Sequence, residues 1–95
     1  MASRVYVIEL TARAGQRRDP RIPWVYVGSS ARDPELRFAQ HVRGYKSSGL
    51  VKRFALRLRP DLYECFNPMP YRGAYEMEFE LADELRERGF AVWQC

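Results

Sequence analysis

The chain has 95 residues, a net charge of +4, 46% hydrophobic and 29% charged residues. That length supports one modest core, so a single domain spanning residues 1–95 is expected. No apolar run approaches the ~20 residues of a bilayer span. Met1-Ala2-Ser3-Arg4 leads straight into a strand pattern rather than a signal peptide, and a cytoplasmic protein is expected.

Charge is unevenly placed. Residues 1–60 hold 13 Lys and Arg against 4 Asp and Glu, a balance of +9, and residues 61–95 hold 3 against 8, a balance of −5. Such asymmetry suits a polyanion on the first two-thirds of the chain. The two cysteines, Cys65 and Cys95, match no metal-ligand spacing.

Residues 4–10, Arg-Val-Tyr-Val-Ile-Glu-Leu, are β-branched and aromatic and predict a strand. Trp24-Val-Tyr-Val-Gly28 predicts a second. Side chains alternate along a strand, so Tyr6 shares a face with Ile8, and Tyr26 points away from Val25 and Val27. If the two strands pair as a hairpin, both tyrosines can share one face. Between them, residues 11–23 form a turn-rich connection with Gly15, Pro20, Pro23 and four arginines: Arg13, Arg17, Arg18 and Arg21. A basic loop is expected there.

Asp33 is a good N-cap, and Pro34 suits the first turn of a helix that ends near Gly44. Helical periodicity makes Leu36, Phe38, Ala39 and Val42 its apolar arc and stacks Arg37 on His41 at its edge. A loop follows, then a short basic helix around Leu50–Leu58 that carries Lys52 and Arg53. A third strand over Asp61–Phe66 and a turn at Asn67-Pro68-Met69-Pro70 are expected next.

A last helix runs from about Tyr71 to Arg88, with Gly89 as its stop. Ala74, Met77, Leu81, Ala82 and Leu85 fall on one side; Glu76, Glu80, Asp83 and Glu87 fall on the other. Glu78 does not segregate with these carboxylates. Its direction lies between Leu85 and Ala82, inside the apolar stripe. A carboxylate there needs a metal, an arginine or hydrogen-bond donors, because bare burial is very costly. Phe90–Gln94 predicts a closing strand.

This series supplies two phenols (Tyr6, Tyr26), a guanidinium (Arg37), an imidazole (His41) and a carboxylate (Glu78) in a fixed order. Each has an ordinary reading as well: core tyrosines with satisfied hydroxyls, a surface arginine, a solvated histidine and an internal ion pair. The order resembles the GIY-YIG nuclease superfamily. Arg4-Val5-Tyr6 aligns with its first signature element and Tyr26-Val27-Gly28 with its second. Arg37, in Pro34-Glu35-Leu36-Arg37-Phe38-Ala39-Gln40-His41, aligns with the helix arginine, and Glu78, in Tyr75-Glu76-Met77-Glu78, with the metal-binding glutamate. Leu85-Arg86-Glu87-Arg88-Gly89-Phe90 is similar to the close of that domain. Two features depart from the pattern: Arg4 stands where the family has glycine, and the connection from Tyr6 to Tyr26 is long.

The resemblance implies an α+β fold with a small, mainly antiparallel sheet of about three strands flanked by helices. It implies DNA endonuclease activity with one divalent cation, Mg²⁺ or Mn²⁺, held by Glu78. Tyr6, Tyr26, Arg37 and His41 are then the catalytic candidates. Arg13, Arg17, Arg18, Arg21, Lys46, Lys52 and Arg53 are the candidates for DNA contact, on branched or otherwise structured DNA, with a partner subunit allowed. Ser29, Ser30 and Tyr45 are further polar candidates. The rival readings are a catalytically degenerate DNA-binding module and a protein-interaction domain on the same scaffold.

Overall fold

The computed structural model describes residues 2–17, 19–46 and 48–94; Arg18 and Cys95 lie outside the described residues. Strand β1 (Ala2–Leu10) and strand β2 (Trp24–Ser30) pair antiparallel, with Tyr6 opposite Gly28 and Ile8 opposite Tyr26. The hairpin therefore does place Tyr6 and Tyr26 on one face. Helix α1 (Pro34–Arg43) follows and stops at Gly44, whose φ of 87° lets its N–H reach the carbonyls of Gln40 and His41.

The next segment departs from expectation. The expected helix over Leu50–Leu58 is split into helix α2 (Gly49–Phe54) and strand β3 (Ala55–Leu58). The Ser48 hydroxyl caps α2 by accepting from the Val51 N–H. β3 lies antiparallel against the outer edge of β1, with Leu58 opposite Ile8, so unpaired backbone groups on β1 override local helix propensity. The expected strand over Asp61–Phe66 is instead two 3₁₀ turns, Pro60–Leu62 and Glu64–Phe66. Leu62 and Tyr63 are consecutive and both buried, which strand alternation does not allow but a turn does.

Strand β4 (Met69–Pro70) pairs with Ala2 and Ser3 at the start of β1. Between β3 and β4, the Asn67 side chain serves β1 as a neighbouring strand would. Its Oδ1 accepts from Val5 N–H at 2.9 Å, and its Nδ2 donates to Val5 C=O at 2.7 Å. Helix α3 (Tyr71–Glu87) ends ahead of Gly89, where φ is 98°, and strand β5 (Ala91–Gln94) then runs parallel to β2. The sheet is therefore mixed and five-stranded, in the order β3-β1-β2-β5 with β4 also on β1, rather than mainly antiparallel with about three strands. The class α+β stands.

Both faces of the hairpin are covered. Val5, Val7, Val25 and Val27 are fully buried on one face, and Tyr6, Ile8 and Leu10 on the other. α3 lies on the valine face, burying Ala74, Leu81, Ala82 and Leu85 beneath it, with Met77 half-buried. α1 lies on the tyrosine face over β1 and β3. Among the described residues no helix is long and apolar enough to cross a membrane.

Candidate functional site

The orientation of α1 reverses the sequence expectation. Leu36 and Val42 are 48% and 46% exposed, Ala39 is exposed, and Phe38 alone of the expected arc is half-buried. Pro34, Gln40 and His41 face inward instead. The reason lies on the sheet, which presents a phenol there. The Tyr6 hydroxyl and His41 Nε2 share a 2.9 Å hydrogen bond, so His41 is a buried partner rather than a solvated edge residue.

Tyr26 completes this group. Its ring centroid lies 5.5 Å from His41, edge on, and 6.4 Å from Tyr6. Gly28 makes the arrangement feasible. A Cβ there would sit 2.5 Å from Tyr6 Oη and 2.7 Å from its Cζ, so the phenol occupies space that any other residue would fill. Burial, and then the nearby charge of Arg37, lower the His41 pKa from 6.5 to about 4. The imidazole is therefore neutral at physiological pH.

Arg37 braces the chain that follows α1. Its guanidinium donates to Gln40 Oε1 and to the carbonyls of Tyr45 and Lys46, the last at 2.7 Å. Asp33 does not cap α1 through its side chain. It pairs with Arg4 Nε at 3.3 Å, and Arg4 also donates to the Ala31 carbonyl. Arg4 thus ties β1 to the β2–α1 connection.

Glu78 is 4% exposed. Its Oε1 accepts from the Ser29 hydroxyl at 3.0 Å, and it forms no ion pair with an arginine among the described residues. Burial raises its carboxyl pKa; Ser29 and the Gln94 amide oppose that shift. The Gln94 amide sits beside the carboxylate, but its buried Nε2 has no hydrogen-bond partner among the described residues. One carboxylate with a hydroxyl and an amide beside it is suitable donor chemistry for Mg²⁺, which keeps waters and takes phosphate oxygens for its other ligands. Among the described residues no three His, Cys, Asp or Glu gather into a cage that would hold a metal without such help. Gln94 was missed by the sequence reading, because a strand glutamine carries no signal until its register beside Val27 is known.

The two groups meet on consecutive residues of β2. Gly28 lies under the Tyr6 ring, and Ser29 holds Glu78. Neighbouring strand residues face opposite ways, so the phenol–imidazole group and the carboxylate approach from opposite sides of the sheet. β5 pairs with β2 only as far as Val27. The segment Gly28–Ser30 is therefore unpaired on that edge among the described residues.

The remaining candidates spread outward. Ser30 Oγ accepts from the Arg32 N–H. Tyr45 is half exposed, with the Lys46 ammonium 5.6 Å from its ring centroid. Arg13, Lys46, Lys52 and Arg53 are exposed and Arg17 is half-buried. Arg21 is exposed but forms a two-bond pair with Asp19. Compared with known proteins, the chain matches no protein-family model, no curated protein and no solved structure.

Proposed function

We propose that this chain is a divalent-metal-dependent DNA endonuclease of the GIY-YIG type. The observation that carries the proposal is the meeting, at Gly28–Ser29, of a hydrogen-bonded phenol–imidazole pair with a buried carboxylate that pairs with no cationic side chain among the described residues. A buried carboxylate without an arginine is expensive for a structural residue and ordinary for a metal ligand.

The chain's own groups divide the work. Tyr6, enclosed at 1% exposure, orients His41 through its hydroxyl. Tyr26, in contact with His41 and more accessible at 5%, is the phenol assigned to the attacking water. The neutral imidazole lies against it and completes the group. Arg37 places positive charge beside this group, where negative charge develops on the scissile phosphate. Glu78, assisted by Ser29 and Gln94, is the residue that would hold the cation. When bound, Mg²⁺ supplies charge neutralisation at the phosphate and stabilises the leaving oxygen. Exposed Arg13, Lys46, Lys52 and Arg53 supply backbone attraction, which is salt-sensitive and carries little sequence information.

The test is incubation with plasmid, single-stranded and branched DNA in Mg²⁺, Mn²⁺ or EDTA, alongside Glu78→Ala and Arg37→Ala. Metal-dependent cutting that both folded variants lose is the expected result. Salt-sensitive binding with no cutting under any condition would refute cleavage and leave a DNA-binding module. Absence of both would leave a protein-interaction domain.

A further inference from the structure

We infer that Trp93 is a stacking platform for an unpaired nucleobase, placed beside the proposed cleavage site. Its location relative to cleavage rests on the nuclease reading; its capacity to bind a base does not.

Trp93 lies on β5, directly opposite Tyr26 in the parallel pairing with β2. Residues paired in register share a face, so the indole sits on the tyrosine side, one strand spacing (~4.8 Å) beyond Tyr26. α1 packs over β1 and β3 on this face, and the β5 side carries Trp93 at 45% exposure. A half-exposed indole on an edge strand is a liability for a domain that does not use it.

The indole is also held in place. Trp93 stacks on Trp24 with centroids 5.5 Å apart and planes 25° from parallel. Trp24 is pinned in turn. Its Nε1–H donates to the Gly15 carbonyl at 2.9 Å, and a Cβ at Gly15 would lie 3.5 Å from its ring, within ordinary contact. One face of Trp93 is thus backed by a fixed aromatic layer, and ordering a base against it costs little side-chain entropy.

Charge around the platform favours a nucleic acid over an apolar ligand. Gly15 belongs to the basic connection, with Arg13 and Arg17 two residues to either side. The exposed carboxylates Glu76, Glu80, Asp83 and Glu87 lie on α3, on the other side of the sheet. A polyanion is therefore steered to the Trp93 side. Bases inside a duplex have both faces covered, and single-stranded bases do not. An aromatic platform within a positive surround selects the latter. The ligand class is an unpaired DNA segment: a single strand, or the displaced strand of a branched structure.

The chain has two tryptophans, stacked on each other, so their emission reports the platform directly. The full chain is titrated in EDTA at low salt with a single-stranded oligothymidylate, an abasic oligomer of equal length and charge, and a duplex. The expected result is strong quenching by oligothymidylate alone, with the abasic strand binding about 10-fold more weakly. Trp93→Ala should lose the same about 10-fold for oligothymidylate and nothing for the abasic strand, and Trp93→Phe should recover most of the loss. Equal affinity for the base-bearing and abasic strands, with unchanged emission, overturns the platform even if Trp93→Ala fails to fold. Quenching that persists in Glu78→Ala supports it. Quenching by a chain that cuts no substrate would keep the platform and discard the nuclease.

Discussion

Replacing Gly28 with alanine probes the arrangement on which the proposed chemistry depends. The new methyl would overlap Tyr6 Oη and Cζ at 2.5 and 2.7 Å. Tyr6 is fully buried, so its ring must tilt and pull its hydroxyl away from His41, 2.9 Å distant. Overpacking of this kind costs about 1–3 kcal/mol. Leaving a buried donor and acceptor without each other adds about 1–3 kcal/mol. A combined loss of roughly 2–6 kcal/mol should lower the melting temperature by at least about 8 °C in a chain of this size. Chemical denaturation followed by far-UV circular dichroism measures the first quantity, and cleavage of supercoiled plasmid measures the catalytic consequence. A double-mutant cycle with Tyr6→Phe sharpens the test. With the oxygen gone, the closest clash and the hydrogen bond disappear together, so Gly28→Ala should cost about 1 kcal/mol less in that background. If Gly28→Ala unfolds within about 1 kcal/mol of the parent chain and shows no coupling to Tyr6→Phe, the close approach described here is wrong.

Glu78→Gln should stabilise the chain at neutral pH, because burial disfavours the carboxylate and an amide carries no charge, while abolishing cleavage. Millimolar Mg²⁺ should raise the melting temperature of the parent chain and leave that of Glu78→Gln unchanged in a thermal-shift assay. For His41, the folded state binds its proton at about pH 4 and the unfolded state at 6.5. Its stabilising contribution is thus complete above about pH 6.5 and is lost as pH falls toward 4, by roughly 3 kcal/mol. The raised pKa of Glu78 acts in the opposite direction, favouring the fold at low pH and losing that effect as pH rises beyond 4.5. Urea titrations of Glu78→Gln across this range should therefore isolate the His41 slope. Asn67→Ala should cost about 2–3 kcal/mol, since both backbone groups of Val5 lose their partner; urea unfolding at pH 7 measures it.

The two parts of the site were legible to different degrees. Glu78 could be found from periodicity alone, because α3 is long and its other carboxylates define the solvent side without ambiguity. The facing of Tyr6 and Tyr26 followed from alternation once a hairpin was assumed. α1 misled because its apolar residues point outward. Nothing in its own ten residues records that the sheet offers it a phenol, and a helix turns its polar side inward only when the partner is polar too. β3 and the parallel sense of β5 were obscured by long-range pairing. Ala55–Leu58 is drawn into the sheet by the free edge of β1, and the parallel sense of β5 is set by the path of α3 across the valine face. The Arg59 guanidinium bridges Glu9 and Asp61 beside Pro60, which favours a turn where a third strand was expected.

The inverted facing of α1 also bears on which part of the molecule lets go first. A helix that buries a wide apolar stripe is held by many small, non-directional contacts. α1 is held largely by the His41–Tyr6 bond, the half-buried Phe38 and the carbonyls gripped by Arg37, so a few broken bonds release it. Its amides should exchange with solvent deuterium at an opening free energy well below that of the global transition, and those of α3 should exchange only with whole-chain unfolding. Release of α1 uncovers Tyr6 and Tyr26 together, so the phenols assigned to the chemistry sit behind an element expected to open before the chain as a whole.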